Sequence, residues 1–174
     1  MQVKNNTYSL KYILAILNSK LIHWFFQFQN FHMVGKPLAE VKVVFVERLP
    51  IKIPQDQLPF IAKAVIMLAT NKELQEVKQQ LLQLLQSNFP DVKVSKKLEQ
   101  WPSLSFAALL KELSKQKIKP TLPQQSEWMQ YFEEQKTKAL ALQKLIDDTD
   151  KEIDAMVYAL YGLTGEEIKI VEGS

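Results

Sequence analysis

The feature that most constrains this chain is a heptad pattern near its C-terminus. Trp128, Phe132, Gln135, Ala139, Leu142, Ile146, Thr149, Ile153, Met156 and Leu160 follow one another by fours and threes. That spacing puts one largely apolar stripe on a single helix face for more than four heptads. A stripe of this length needs an apolar partner of similar length. Residues 56–87 supply one: Phe60, Met67, Leu74 and Leu81 lie seven apart, with Ala64, Val77, Leu84 and Leu85 between them. The polar run Thr70-Asn71-Lys72 predicts a kink or a stop in that helix. Two seams of similar length predict an antiparallel helical hairpin. They leave open a second possibility, that part of the seam faces another chain or another domain.

The remaining segments are shorter. Residues 8–33 read as one helix on the spacing of Tyr8, Tyr12, Ala15, Leu21, Ile22 and Phe25. Phe25, Phe26, Phe28 and Phe31 make its later turns apolar nearly all round, which predicts burial, and Gly35-Lys36-Pro37 ends it. Val41 to Val46 and Ile51-Lys52-Ile53 are β-branched runs separated by Pro50, which predicts one or two strands over residues 41–53. Residues 91–103 read as a loop with one helical turn, and residues 103–117 as a helix with Phe106, Leu109, Leu110 and Leu113 inside. Gly162 stops the last long helix, and Thr164 with Glu167 forms a capping box for a final short one. The expected fold is mainly α, a helical bundle with a long antiparallel hairpin and a small β element. Its expected core is Phe25, Phe28, Phe60, Leu81, Phe106, Leu110, Phe132, Ile146 and Ile153. The expected division is residues 1–54, a helix plus short strands, and residues 55–174, a helical scaffold.

Composition limits the chemistry. Of 174 residues, 47% are apolar and 24% charged, a globular balance that excludes a disordered chain. Cysteine is absent, which removes disulfides, thiolate metal sites and cysteine nucleophiles together. Four glycines leave little room for a glycine-rich phosphate cradle. The apolar stretch Tyr8 to Phe28 is broken by Lys11, Asn18, Ser19, Lys20, His23 and Gln27, which is too polar for a spanning helix. A soluble, cytoplasmic protein is expected. His23 and His32 lie nine apart on opposite faces of one helix, so they cannot share a metal and read as core-edge histidines. Asp147, Asp148, Asp150, Glu152 and Asp154 lack the glycine that a calcium loop needs, and read as a solvated helix face. Asp91 with Glu167-Ile-Lys169 imitates a nuclease metal site. However, Glu-Val-Lys recurs at residues 40–42 and 76–78, and the cap explains Glu167. No Gly-x-Ser-x-Gly elbow occurs. No catalytic residue and no metal ligand is expected in this chain, which does not read as an enzyme on its own.

Charge patterning says more. The net charge of +3 does not by itself point to nucleic acid. Between Asp91 and Lys119, however, seven lysines face only Asp91, Glu99 and Glu112, with Trp101 among them. A basic stripe beside an aromatic suits a phosphate backbone; a solvated lysine-rich helix face is the alternative. Lysine acts as a point charge, so such a stripe gives affinity without base choice. Arg48 is the only arginine and alone is able to make the forked contact to guanine. The candidate DNA contacts are Lys36, Lys42, Arg48, Lys52, Lys93, Lys96 and Lys97.

Two stretches carry a family resemblance. Tyr8-Ser-Leu-Lys-Tyr-Ile-Leu-Ala-Ile-Leu-Asn-Ser-Lys-Leu-Ile followed by Leu49-Pro-Ile-Lys-Ile-Pro resembles the distal half of a DNA target-recognition domain. Asp150-Lys-Glu-Ile-Asp, Val157-Tyr-Ala-Leu-Tyr-Gly-Leu-Thr and Glu166-Glu-Ile-Lys-Ile-Val-Glu resemble the ending of type IIG restriction-modification enzymes. Those enzymes fuse an endonuclease, an adenine-specific DNA methyltransferase and a TaqI-like C-terminal specificity domain. The resemblance covers residues 8–54 and 104–172. It implies a non-catalytic specificity and scaffold portion, whose partners are double-stranded DNA and the methyltransferase and nuclease regions of a parent enzyme. S-adenosylmethionine and Mg²⁺ are implied for that parent, and no cofactor for this chain. Only Met1 to Thr7 precede the Asn-Ser-Lys helix, where the family carries its base-reading β region, so weak DNA binding by an excised or split piece is expected. The alternative from another class is a coiled-coil interaction or homodimerisation module that does not touch DNA.

Overall fold

The computed structural model describes residues 8–29 and 47–173. Among them are seven α-helices: α1 Leu10–Leu17, α2 Lys20–Gln29, α3 Leu58–Asn88, α4 Lys96–Glu99, α5 Phe106–Lys115, α6 Leu122–Tyr161 and α7 Gly165–Glu172. A 3-10 turn, Trp101–Ser103, joins α4 to α5. The chain forms two compact units. The first comprises residues up to Leu68 and from Asp148 onward, and the second is Ala69–Asp147. The long helices α3 and α6 contribute to both.

The first unit is built on the break between α1 and α2. Ser9 caps α1 by accepting the Lys11 amide at 3.3 Å, and Asn18 closes it in the α region. Ser19 is fully buried and bridges the two helices: its hydroxyl donates to the Ile16 carbonyl at 2.7 Å and accepts the Ile22 amide at 3.4 Å. Such side-chain bonds give the backbone an alternative to continuing one helix. Asp154 on α6 completes the junction by accepting the Lys20 amide, at the start of α2, at 2.8 Å. Tyr12, Ile16, Ile22, Phe60, Ala64, Ile153, Val157 and Val171 form the core of this unit. The Tyr12 and Phe60 rings meet edge to face at 5.3 Å. Helix α6 ends in a Schellman turn: Gly162 sits at φ +74°, its amide donates to the Ala159 carbonyl, and the Leu163 amide donates to the Tyr158 carbonyl at 3.0 Å. Thr164 and Glu167 then make the capping box of α7, and these bonds hold the Glu167 carboxyl below its ordinary value.

The second unit packs around Trp101 and Phe132, both fully buried. The Trp101 indole N–H donates to the Lys78 carbonyl at 3.2 Å, as a buried indole must find an acceptor. Phe132 lies 5.6 Å from the Trp101 ring and 5.7 Å from the Phe106 ring. Leu74, Val77, Leu81 and Leu85 on α3, with Leu109 and Leu113 on α5, complete the core. Glu73 pairs with Lys138 at 3.1 Å, while Phe89 meets Trp128 at 6.0 Å. Rising numbers on α3 therefore meet falling numbers on α6, which makes the pair antiparallel, as the seams predict.

Five expectations are corrected. Residues 8–29 are two helices rather than one, because Asn18 and Ser19 divert the backbone hydrogen bonds; residues 30–33 lie outside the described residues. No strand occurs among the described residues. Residues 41–46 lie outside them, while the main chain of Lys52 bonds to tyrosine hydroxyls instead of a neighbouring strand: its amide donates to Tyr161 and its carbonyl accepts from Tyr12. Phe28 is 70% exposed, and Phe25 and Leu110 are half-buried. Helix α3 runs through Thr70-Asn71-Lys72 unbroken, because Thr70 shares the inner face with Leu74 and Val77 while Asn71 and Lys72 face outward. The acidic run is not a uniformly solvated face, since Asp154 is only 2% exposed. The α6 seam packs on the chain's own helices: Phe132, Ala139, Thr149 and Ile153 are buried, and Leu142 and Ile146 lean on the core of the second unit.

Candidate nucleic-acid interface

In the first unit the chain from Leu49 to Lys52 is held by two tyrosines. Tyr161 donates to the Pro50 carbonyl and accepts the Lys52 amide at 3.0 Å, and Tyr12 donates to the Lys52 carbonyl. Ser9 adds a bond from its amide to the Gln57 side chain at 3.1 Å. Burial pushes the Tyr12 hydroxyl up to about 12, with the neighbouring tyrosines Tyr161 and Tyr8 adding to the effect. Burial likewise raises Tyr161, against the opposing bond from the Lys52 amide. These phenols stay neutral and keep donating at any ordinary pH. The clamp fixes the main chain of Lys52 and leaves its side chain exposed, with Arg48 also exposed four residues earlier. Lys36 and Lys42 lie outside the described residues. His23 is exposed and meets the Gln27 amide at 2.7 Å, one turn on, so it is a surface residue rather than a core-edge one.

The second unit carries the other candidates. Ser95 caps the short α4 by accepting the Leu98 amide, which sets Lys96 and Lys97 in its first turn. Lys97 reaches Glu112 on α5 at 3.1 Å, and Lys115 reaches the same carboxylate oxygen at 2.8 Å. Hydrogen bonds from Lys115 and Lys97 hold the Glu112 carboxyl below its ordinary value of 4.5, against the desolvation that raises it. Lys93 is tied to α5 through its main chain: its amide donates to the Gln116 side chain at 2.8 Å, and that side chain donates back to the Lys93 carbonyl at 3.0 Å. Lys117 follows in the left-handed region at φ 64°, closing α5 with a bond from the Ile118 amide to the Leu113 carbonyl. Lys93, Lys97, Lys115 and Lys117 thus gather near the C-terminal end of α5, with Lys96 beside Lys97. Trp101 takes no part, because its ring is buried under α3 and α6.

Two residues that hold this cluster together, Glu112 and Gln116, are missing from the candidates drawn from sequence. Glu112 stands three before Lys115, a helical pairing distance visible in the sequence. Gln116 gave no such signal, since its role depends on the fold bringing residue 93 beside it. No group of three or more histidine or carboxylate side chains able to hold a metal occurs among the described residues. No described helix is long and apolar enough to cross a membrane. Comparison with known proteins finds two family models. The TaqI-like C-terminal specificity domain matches residues 1–51, and a domain of unknown function (DUF8810) matches residues 53–157. No curated protein and no solved structure matches the chain.

Proposed function

We propose that this chain, which belongs through residues 53–157 to the DUF8810 family, is the non-catalytic DNA-specificity and scaffold portion of a restriction-modification enzyme. The observation that carries the reading is the specificity-domain match over residues 1–51. Two local structures support it. The Leu17-Asn-Ser-Lys20 motif forms the α1–α2 junction, which Asp154 seals, and the tyrosine clamp anchors Pro50 to Lys52 beside it. In this reading Lys36, Lys42, Arg48 and Lys52 contact DNA phosphates near the edge of the recognition region. The long helices hold DNA in place for adenine methylation and cleavage by regions outside this chain. S-adenosylmethionine and Mg²⁺ belong to those regions.

Duplex binding by fluorescence anisotropy at low and moderate salt, with a light-scattering mass on the same sample, tests the proposal. Weak binding that falls steeply with salt, by a monomer, is the expected result. A second reading, an interaction module, draws on the exposed apolar side chains Leu58, Val65 and Ile66 of α3. A dimer mass with no duplex binding at low salt would favour it and overturn the DNA role.

A further inference from the structure

We infer that the lysines gathered around Glu112 form a docking surface for the sugar-phosphate backbone of duplex DNA, which gives the segment matched over residues 53–157 a nucleic-acid contact of its own. The inference rests on the DNA reading above and extends it beyond the specificity match. In several ion pairs elsewhere among the described residues each lysine has its own carboxylate: Lys20 with Asp154, Lys63 with Glu152, Lys138 with Glu73. Here two ammonium groups share the single Glu112, and Lys93, Lys96, Lys111 and Lys117 have no ion pair among the described residues. Lys111 lies one turn before Lys115 on the same face of α5. Even with the exposed Asp91 and Glu99 and the shared Glu112 set against these six lysines, a net positive excess remains on this part of the surface.

The backbone beneath these side chains is fixed. Gln116 clamps the main chain of Lys93 with two bonds, and Lys117 is locked in the helix-closing turn. A surface whose main chain is already ordered loses less entropy on binding than a loose loop. The side chains are lysines only, which suits repeated phosphates rather than base edges. Single-stranded nucleic acid is recognised through aromatic side chains that stack on bases. Of the two aromatics in this basic stretch, Trp101 is fully buried and Phe106 packs half-buried against Phe132, so neither is presented for stacking and the surface fits a duplex backbone.

The test measures duplex affinity against salt for the whole chain, on two unrelated duplexes. The variants are Lys93→Gln/Lys111→Gln/Lys117→Gly and, as the control for the first unit, Arg48→Gln/Lys52→Gln. Three lost phosphate contacts should lower the slope of log affinity against log salt by about 2.7, equally on both duplexes. Lys117→Gly alone separates binding from stability. It relieves a left-handed backbone and should melt higher, yet it should bind more weakly with a slope smaller by about 1. An unchanged slope in the triple variant overturns the docking surface. If the control variant lowers the slope in that case, the DNA reading itself stands. Failure of the unmodified chain to bind either duplex at low salt overturns both.

Discussion

Removing the Asp154 carboxylate should loosen the first unit in a graded way that identifies which of its contacts matters. Asp154 is buried and accepts the Lys20 amide at 2.8 Å, while Lys20 Nζ stands 3.5 Å from its other oxygen. The amide is the first of α2 and has no partner within its own helix. A hydrogen bond to a charged acceptor contributes about 1.5–3 kcal/mol, and a negative charge at a helix start adds about 0.3–1 kcal/mol. The side-chain pair is weaker, because the Lys20 side chain is 47% exposed and also shares Glu172 at 3.8 Å; about 0–1 kcal/mol is expected of it. Asp154→Ala should therefore cost about 2–4 kcal/mol, since it also strands a buried donor. Asp154→Asn keeps an acceptor and should cost about 1–2 kcal/mol. Lys20→Met leaves the amide in place and should cost less than about 1 kcal/mol. The assay is urea unfolding by circular dichroism, with hydrogen exchange of the α2 amides reporting the first unit separately. If Lys20→Met matches Asp154→Ala, the exposed ion pair holds the junction and the capping argument fails. If neither aspartate variant changes α2 exchange, the whole local account is wrong.

Other outcomes follow from the same structure. Phe132→Ala removes a fully buried ring that meets two others and should cost about 3–5 kcal/mol, whereas Phe132→Leu should cost clearly less; chemical denaturation of the second unit checks both. Gly162→Ala forces a side chain onto φ +74° with no clash around it, so about 1–2 kcal/mol of pure backbone strain is expected in a thermal melt. Tyr12 and Tyr158 are both raised to about 12 from 10.0, mainly by burial, so their neutral forms stabilise the fold. That contribution is intact below pH 10 and is lost as pH rises toward 12, so alkaline melts should fall in that window, with late phenolate absorbance. Glu112 is lowered, so its contribution is present above the ordinary value of 4.5 and is lost as pH falls through its folded value. The gap in melting temperature between the protein and Glu112→Gln should accordingly shrink in acid.

The helical hairpin was readable because its two stripes repeat at one period for many turns, and burial of Phe60, Leu81, Phe132 and Ile153 follows from that alone. The end signals Gly162 and Thr164 with Glu167 were also readable, because a cap depends on residues within one turn. What escaped depends on contacts distant in sequence. Ser19 looked like a polar interruption of one helix, and only the arrival of Asp154, 135 residues later, makes it a junction. The apolar run Ile51-Lys52-Ile53 has the composition of a strand, yet tyrosine hydroxyls from α1 and α6 take the backbone groups that a strand partner would use. In the sequence Trp101 stands beside a basic stripe that suits a phosphate backbone, but its ring fills the space between α3 and α6. At the candidate interface the lysines were legible as a charge run. Their grouping was not, because Gln116 and Glu112 act across the fold.

The most direct test of a DNA-contacting role is an amide NMR titration of the whole chain with a duplex at low salt. Progressive shifts at residues 47–53, 93–97 and 111–117, reversed by added salt, with the amides around Phe132 and Val157 unmoved, are the predicted result. Amides that stay unchanged through excess duplex, or move only along the Leu58 to Ile66 face as the mass doubles, would contradict it.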